Sequence, residues 1–314
     1  MYLDLLRDHL KTPFIGAFAY GSGVFAQGKP LPDTIKSSNS KMIDYLVVVR
    51  DNELVSWHRD NYRINPRDYP IIGRIALERT NLFSDAVYYV PDVTVCTHSS
   101  GKRIKYGVVG WDVLRQDLYN WNSLFLAGRL HKPTIMDMCE SDGIINSAME
   151  SNLNSALRVA LLQLSNRNDF DFNDVLYKIV GISYTNDPRL LLAESPRKIE
   201  NILIGQKKEL EAMYIEKYER IVSGASASSL KDPAVKIKLL RDLPYTLKNE
   251  LNTAATDDLW RIALSNDTPL LVTEAVGRIV RRSAWKQMAL GMISTPVFKA
   301  AKYVISKMSK RFRG

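Results

Sequence analysis

Cysteine is scarce in this chain, and the scarcity limits the classes of protein to which it can belong. Only Cys96 and Cys139 occur among 314 residues. They show no pairing pattern, which indicates a reducing compartment and excludes a disulfide scaffold. No run of about 20 apolar residues is present, so we expect no transmembrane helix. The first residues, 1–4, include an acid and do not form a transit peptide as they stand.

Acidic residues are absent from the last forty positions. Residues 275–314 contain ten Lys or Arg and no Asp or Glu. Because the whole chain carries a net charge of +9, the first 274 residues sum to −1, and the excess charge belongs to the tail. The basic pI of the whole chain therefore says nothing about a nucleic-acid footprint on the main body. The length predicts two domains plus an appendage.

A short stretch near the N-terminus is the first candidate for chemistry. The apolar run 14–20 ends at Tyr20 and passes into Gly21, Ser22 and Gly23, which predicts a buried strand and then a turn. Glycines leave backbone amides accessible and the serine adds a hydroxyl, so the turn is suited to an anion. A plain turn is the alternative.

The next apolar strand, predicted over 42–49, carries one acid, Asp44. An unpaired buried carboxylate costs several kcal/mol, so Asp44 needs a cation, a shell of hydrogen bonds or the exposed end of the strand. A glycine-serine turn followed by an acid-bearing strand resembles the core of the nucleotidyltransferase superfamily, where the turn holds the triphosphate and the acid holds Mg²⁺. Many members have a second acid where this chain has Leu46, and here the gap between Ser22 and Asp44 is long.

Two polar residues lie on a helix predicted within 52–63. His58 and Asn61 are one helical turn apart and share a face. They either face a site or belong to a surface helix that packs Trp57.

A strand pair is predicted farther along the chain. Residues 86–95 predict a strand that lies at an edge or contains a bulge, because Pro91 cannot donate to a ladder. Residues 103–109 predict its antiparallel partner. Within that partner, Lys105 either faces solvent or projects toward the glycine-serine turn to meet phosphate.

A cluster of basic residues follows a helix predicted over 111–121. Gly128, Arg129, His131 and Lys132 precede Pro133, where the chain must break from helix. A glycine with three basic side chains at such a break suits anion binding.

Together, several strings resemble the mitochondrial phosphatidate cytidylyltransferase family, also named for mitochondrial translocator assembly and maintenance. The resemblance is dense over about residues 14–190, and the basic tail and the missing acid at Leu46 also fit it. The strings are Tyr20-Gly21-Ser22-Gly23-Val24-Phe25, Trp57-His58 with Asn61, Ile104-Lys105-Tyr106-Gly107-Val108, Asn120-Trp121-Asn122, Ala127-Gly128-Arg129-Leu130-His131-Lys132-Pro133 and Ile182-Ser183-Tyr184.

The resemblance implies an α+β fold and a specific reaction. It implies a nucleotidyltransferase domain, here over 1–135, and a winged-helix-like domain over 136–222. A linker with short helices over 223–274 and a basic membrane-binding tail over 275–314 would follow. The implied reaction transfers cytidylyl from CTP to phosphatidate, with Mg²⁺ as cofactor, giving CDP-diacylglycerol and pyrophosphate. It supplies the cardiolipin pathway at the matrix face of the mitochondrial inner membrane, where the protein is peripheral.

Apolar spacing predicts that the second domain is helical. We expect an amphipathic helix over 146–165, a second over 174–184, and one long charged helix from Pro196 to about Val222. Winged helices often bind nucleic acid, but this segment has no basic excess, so we expect a wall or lid of the active site and no nucleic-acid partner. Residues 223–229 are of low complexity and predict a linker.

Substrate chemistry gives the candidate residues their expected roles. The phosphate monoester of phosphatidate is largely dianionic at neutral pH, so its attack on CTP needs no general base, and repulsion between polyanions is the obstacle. Asp44 is the expected Mg²⁺ ligand, and Lys105, Arg129 and Lys132 are expected to neutralise phosphates. The candidates for CTP binding are Tyr20, Gly21, Ser22, Gly23, His58, Asn61, Lys105, Tyr106 and Gly107. The candidates for the lipid phosphate are Arg129, His131 and Lys132, and the sequence leaves open which of these basic groups faces which substrate.

The C-terminal tail is predicted to form a basic amphipathic helix that lies on anionic lipid. Apolar positions recur at helical spacing from Trp285, stop at Pro296, and resume at Val297. The alternative is a C-terminal helix packed on the body. The expected membrane contacts are Trp285, Phe298, Lys299, Lys302, Lys307, Lys310, Arg311 and Phe312.

Two other functions stay open at this point. A nucleotidyltransferase that acts on RNA or a small metabolite is favoured by the generic turn and acid. A non-catalytic membrane scaffold is suggested by the missing second acid at Leu46. Nucleotide choice and dependence on lipid separate the three.

Overall fold

The computed structural model describes residues 2–28, 41–80, 82–97, 100–138, 143–193, 195–222, 230–253 and 256–294. In this part of the chain the protein is α+β, with one mixed five-stranded sheet and many helices. The predicted linker 223–229 lies outside the described residues, as do the predicted membrane contacts beyond Trp285.

The sheet confirms the four strands that the sequence predicts and adds a fifth. Its members are β1 (Gly16–Tyr20), β2 (Ile43–Val49), β3 (Tyr88–Thr97), β4 (Ser100–Gly110) and β5 (Ile135–Met138), in the order β3-β4-β2-β1-β5. Strands β2 and β4 are parallel, and the other neighbours are antiparallel. Strand β3 is both at an edge and bulged between Val90 and Val93, as Pro91 predicts. The sequence did not predict β5, which is four residues long and pairs with β1.

Helices cover both faces of the sheet. One face packs against α1 (Tyr2–His9), α2 (Leu54–Ile64) and α3 (Ile71–Arg79). The other packs against α4 (Trp111–Asn120), α5 (Ala127–Leu130) and α6 (Gly143–Leu164). Because both faces are covered, the central strands are almost continuously apolar. The helices that follow are α7 (Phe172–Gly181), α8 (Pro188–Ala193), α9 (Lys198–Gly205), α10 (Lys207–Val222), α11 (Pro233–Arg241), α12 (Tyr245–Glu250), α13 (Thr256–Leu264) and α14 (Thr268–Ser294).

The helical part shares a hydrophobic core with the sheet. One cluster of buried side chains runs from Phe18 of β1 through Leu157 of α6 to Val280 of α14. The apolar face predicted for α6 is buried, including Leu153, Leu157 and Leu161. The core of the helices therefore continues directly into the α4–α6 face of the sheet.

Residues 196–222 form two helices, and the prediction of one long helix was wrong. The break lies at Gln206, between α9 and α10. There the Gln206 side chain donates to the carbonyl oxygen of Ala26 at 3.2 Å. The break lets the helical part contact the loop that follows β1.

Residues 275–294, assigned to the tail by their charge, form the C-terminal part of α14. Buried residues of this segment include Ala284 and Leu290, and Trp285 is 55% exposed. Arg278 and Arg282 both pair with Glu250 of α12. This part of the chain is therefore a helix packed on the body. Across the described residues, no helix has the length and hydropathy needed to cross a bilayer.

Candidate active site

Three strands bring polar side chains together on one face of the sheet. Tyr20 of β1 is opposite Asp44 of β2, and Asp44 is opposite Lys105 of β4. Alternation along each strand places all three on the face that packs against α4–α6. The register therefore aligns the hydroxyl, the carboxylate and the ammonium group in one row across β1, β2 and β4.

The glycine-serine turn begins at the end of this row. Gly21 has φ +81, a conformation that glycine adopts without the penalty that a Cβ brings. A Cβ at Gly21 would lie 2.8 Å from Oδ2 of Asp44, so the turn passes directly over that carboxylate. The amides of Val24 and Phe25 close the turn by donating to the Gly21 carbonyl, and Ser22 and Gly23 lie between, both partly exposed.

Aromatic side chains surround Lys105. Its ammonium nitrogen lies 4.4 Å from the centre of the Tyr89 ring, which crosses β4 over Gly107. The Tyr89 hydroxyl is 3.4 Å from that of Tyr20. Burial and the neighbouring Tyr89 raise the pKa of Tyr20 well above its usual value, so its phenol is neutral at physiological pH. The row thus ends in a cation held against the face of an aromatic ring.

The segment that carries Arg129 is organised by an acid that was not among the predicted site residues. Asp117, at the end of α4, is 2% exposed. Its carboxylate accepts bonds from the hydroxyl of Ser123 and from the backbone amides of Ser123, Leu124, Leu126 and Ala127. An acid in the last turn of a helix opposes the helix dipole. This mismatch was visible in the sequence, and it was the signal that the Asp117 carboxylate has hydrogen-bond donors outside α4.

Two more side chains fix the same segment. Trp121 has φ 55 and donates through Nε1 to Oδ1 of Asn152 at 2.9 Å. Asn152 in turn donates to the Ala127 carbonyl at 3.0 Å. Both side chains are fully buried, so α5 begins from a rigid support.

Arg129 and Lys132 project from this support. The guanidinium carbon of Arg129 lies 3.7 Å from the centre of the Phe125 ring, and Arg129 also donates to the Phe125 carbonyl. Lys132 donates to Oγ of Ser183 at 2.7 Å and to the Gly128 carbonyl. Burial, together with the positive charges of Arg129 and Lys198, lowers the pKa of Lys132 well below its usual value.

Gly128 explains how the helical part reaches Lys132. A Cβ at Gly128 would lie 2.7 Å from the Cβ of Ser183, which belongs to the 3-10 turn Ile182–Tyr184. Only glycine allows this approach, and it places the Tyr184 ring centre 5.3 Å from the Lys132 nitrogen. The resembling strings at 127–133 and 182–184 therefore meet in space.

His131 has no exposed surface. Its Nε2 is 3.5 Å from the Lys132 ammonium, and its Nδ1 has no partner among the described residues. Burial and the neighbouring Lys132 lower the pKa of His131 well below its usual value. The imidazole is therefore neutral at physiological pH and lies beneath Lys132.

Two basic residues of the helical part border the same site. Arg189 of α8 lies with its guanidinium carbon 5.7 Å from the centre of the Phe125 ring. Lys198 of α9 donates to Oε1 of Gln27 at 3.1 Å. Neither residue was predicted from the sequence to belong to the site. An acid before a proline is the signal of a helix start, and it occurs at Asp187-Pro188, next to Arg189. Nothing in the sequence distinguished Lys198.

His58, Asn61 and Tyr106 lie on the opposite face of the sheet. The amide of Asn61 donates to the hydroxyls of Tyr69 (2.9 Å) and Tyr106 (3.2 Å). Nδ1 of His58 is 2.9 Å from the Tyr69 hydroxyl, and burial lowers the pKa of His58 to about 3. Tyr106 donates to Asp68 at 2.6 Å. This buried network joins α2 to β4, and the structure does not bring it together with Lys105 or the turn.

The residues of the row suit a magnesium ion that is shared with substrate. Mg²⁺ is commonly bound through one or two carboxylates together with substrate phosphates, and Asp44 faces the turn. Among the described residues, no group of three or more acidic, histidine or cysteine side chains is arranged to hold a metal alone. Asp44 therefore fits a metal that substrate helps to coordinate.

The opposite end of the sheet does not have this chemistry. A cavity of about 380 Å³ opens there, bordered by Ile15, Arg50, Trp111 and two acids, Asp51 and Asp112. Asp51 accepts the backbone amide of Asp112 at 2.9 Å and caps α4. Carboxylates at this opening repel phosphate, so the site at the Asp44 end is the candidate active site.

The chain matches known proteins over nearly its whole length. The family model described as "Phosphatidate cytidylyltransferase, mitochondrial" matches residues 3–310. Proteins of that name from Bos taurus and Rattus norvegicus are 31% and 32% identical to this chain, covering 98% and 99% of it and 94% and 95% of the relatives. The Caenorhabditis elegans protein of the same name is 31% identical, over 94% of this chain and 93% of its own length. The chain belongs to the mitochondrial phosphatidate cytidylyltransferase family.

Proposed function

We propose that this protein transfers cytidylyl from CTP to phosphatidate in mitochondria, giving CDP-diacylglycerol and pyrophosphate. Membership of the family, shown over nearly the whole chain, is the observation that carries the proposal. The site supports it because one carboxylate and several cations converge beside a glycine-serine turn. Two polyanionic substrates require such a surplus of positive charge.

CTP is proposed to lie along the row that begins at the turn. Gly21, Ser22 and Gly23 offer backbone amides and a hydroxyl to the triphosphate, with Tyr20 beneath them. Asp44 would hold Mg²⁺ together with the triphosphate, and the ion, when bound, would polarise the phosphoryl group. Lys105 projects toward the triphosphate from β4, which β2 separates from β1 and the turn. The mixed sheet with its turn after β1 also supports a nucleotidyltransferase fold.

Arg129 and Lys132 are proposed to receive the phosphate of phosphatidate. Both project from the segment fixed by Asp117, so their positions are set before substrate arrives. The lowered pKa of Lys132 means that its proton is weakly held in the free protein. A phosphate beside it stabilises the charged form and restores the cation where negative charge must be neutralised. His131 supports Lys132 from beneath.

We assign an indirect role to the network on the other face of the sheet. Contact between CTP and His58, Asn61 or Tyr106 would require these side chains to cross the sheet. Instead Tyr106, directly next to Lys105 on β4, fixes that strand through Asn61 and Asp68. The helices α6–α10 form the wall of the site. Residues 143–193 and 195–222 contain no strand, so a winged-helix domain in this segment would have no β-strands to form its wing.

Membrane association is proposed to be peripheral. Phosphatidate resides in a bilayer, so its enzyme must meet the membrane surface. Residues 295–314 carry six of the basic residues of the chain and no acid, which favours attraction to anionic lipid of about 1 kcal/mol for each charge near the surface. We place the protein on the matrix side of the inner membrane, supplying the cardiolipin pathway, with no nucleic-acid partner.

An assay of substrate choice tests the proposal. Purified protein is incubated with Mg²⁺, liposomes containing phosphatidate, and each common nucleoside triphosphate in turn. We expect CDP-diacylglycerol from CTP alone and none when EDTA or phosphatidate-free liposomes are used. Equal use of all nucleotides, or nucleotide incorporation into RNA, would favour the wider nucleotidyltransferase class. No product under any condition would favour a scaffold.

A further inference from the structure

We propose that Arg189 and Lys198, which come from the helical part, bind substrate phosphate directly and complete the site opposite the sheet. The inference rests on the proposed function and extends it to residues that neither the sequence motifs nor that function assigned. In this arrangement the phosphate lies between the row on the sheet and helices α8 and α9.

Arg189 is held in place by a buried acid. Asp187 is 4% exposed and accepts from Nε and Nη2 of Arg189, with the Nη2 bond at 2.6 Å. Paired on this edge, the guanidinium presents Nη1 on its other side. Its carbon and that of Arg129 both lie within 6 Å of the centre of the same Phe125 ring. Two guanidinium groups from different parts of the fold thus share one aromatic platform, a geometry that suits forked recognition of a phosphate.

Lys198 is held beside the glycine-serine turn. Its ammonium donates to Gln27, four residues after Gly23 in the chain. The backbone amide of Gly28 donates to the Asn201 carbonyl at 2.7 Å, and Gln206 donates to Ala26. These contacts fasten the segment after the turn to α9 and α10. Lys198 therefore reaches the site from the side where the turn opens.

The charges of the site are arranged as if an anion were to be present. Lys198 and Arg129 both lie close enough to Lys132 to disfavour its charged form. Cations gathered at half-buried positions repel one another, and this repulsion destabilises the free protein. The nearby carboxylate of Asp187 is already engaged by Arg189. A bound phosphate removes the repulsion, so the cluster gains stability when substrate occupies it.

The ligand chemistry is that of a phosphate oxyanion, and it has two sources in this reaction. The triphosphate of CTP reaches the side that borders the turn and Lys198. The monoester of phosphatidate reaches the side that borders Phe125 and Arg189. Both sources fit the inference, and measurement of each substrate separately assigns them.

The test compares Lys198→Gln, Lys198→Arg and Arg189→Lys with the wild-type protein. Arg197→Gln is the matched control, because Arg197 is exposed and adjacent to Lys198. CTP affinity is measured by calorimetry without lipid, and KM for phosphatidate is measured at saturating CTP. We expect Lys198→Gln and Arg189→Lys to weaken at least one substrate by about 10- to 100-fold. Lys198→Arg should recover most of the loss, and Arg197→Gln should change neither constant.

Pyrophosphate provides a test that does not depend on turnover. Pyrophosphate should raise the melting temperature of the wild-type protein. It should raise the melting temperatures of Lys198→Gln and Arg189→Lys by less. Variants that bind CTP, phosphatidate and pyrophosphate as the wild type does would overturn the inference and leave the proposed function intact. Wild-type protein that does not use CTP would overturn the proposed function, while the pyrophosphate shifts would still decide the roles of Arg189 and Lys198.

Discussion

The carboxylate of Asp117 accepts the backbone amide of Ala127 at 3.0 Å, and so an acid at the end of α4 caps the start of α5. Among the residues that the structure describes, no charged side chain pairs with Asp117, and backbone amides and one hydroxyl surround it instead. Hydrogen bonds of this kind are charge-assisted and strong. The position of Arg129 depends on this cap.

Replacement of Asp117 by Asn should destabilise the protein. The two side chains have the same shape, but the amide nitrogen of Asn would face backbone donors and leave them unpaired. We expect a loss of at least about 3 kcal/mol in the free energy of unfolding, measured by urea titration. Asp112→Asn on the same helix is the control, since Asp112 is exposed and should cost within about 0.5 kcal/mol. Equal effects of the two changes would contradict the assigned role.

Asp44→Asn should abolish turnover while leaving the fold intact. The substitution keeps the shape but removes the charge that a metal requires. We expect activity to fall by more than the roughly 10- to 100-fold that follows loss of an outer-shell partner of a metal ligand. Melting temperature should stay close to that of the wild type, which shows that the loss is chemical. Near-normal turnover in saturating Mg²⁺ would remove Asp44 from the mechanism.

The turn is tested by Ser22→Ala and Gly21→Ala. Loss of the Ser22 hydroxyl should weaken CTP binding by about 1–3 kcal/mol, the value of a charge-assisted hydrogen bond. Gly21→Ala should weaken binding further, because its Cβ would meet Oδ2 of Asp44 and a positive φ disfavours alanine. Calorimetry with CTP measures both. Unchanged affinity in both variants would indicate a plain turn.

Lys132→Met should have an effect on stability that depends on pH. The pKa of Lys132 is lowered in the folded protein, so between that value and the usual lysine pKa of about 10.4 the unfolded chain holds more protons. Wild-type stability therefore rises with pH across this window. Relative to wild type, Lys132→Met should be most favoured at the low-pH end of this window, and its advantage should shrink as pH approaches about 10. Thermal unfolding at several pH values measures the difference, and a constant difference would contradict the lowered pKa.

Truncation after Ser294 separates the tail from the packed helix. Deletion from Trp285 would remove buried Leu290 and damage the body, whereas deletion of 295–314 leaves α14 whole. We expect the shorter protein to lose binding to anionic liposomes and most activity on bilayer phosphatidate. Activity on a short-chain, water-soluble phosphatidate should survive. If the truncated protein still sediments with anionic vesicles, the tail is not the membrane contact.

The strands that carry the row were predictable, and the partners of their side chains were not. Apolar runs beside Gly21 and Pro91 predict β1 to β4 because local chemistry decides where such strands end. The same runs do not show which face of the sheet a residue occupies. His58 and Tyr106 were candidates because the strings that contain them resemble the family, and the structure places both in the buried network under α2.

The site residues that come from the helical part could not be predicted from the sequence, for a different reason. Lys198 is one lysine on a charged helix, and only its contact with Gln27, far away in the chain, distinguishes it. Gln206, at the break between α9 and α10, likewise has its side-chain partner far away in the chain, at the Ala26 carbonyl. Long-range contacts of this kind leave no local pattern. Asp117 is intermediate, because its conflict with the helix dipole was visible but its donors were not.

The row across β1, β2 and β4 also bears on how the chain finds its pairing. Both faces of β2 are covered by apolar residues, so hydrophobicity alone hardly distinguishes the native alignment from a slip by one position. A slip would move Asp44 into the core beneath α1 and α2 and bring Tyr45 to the row. Burial of that carboxylate would cost several kcal/mol. The residue proposed to hold the metal would thereby also penalise misaligned sheets, so its replacement by an apolar residue should make misfolded pairings more accessible.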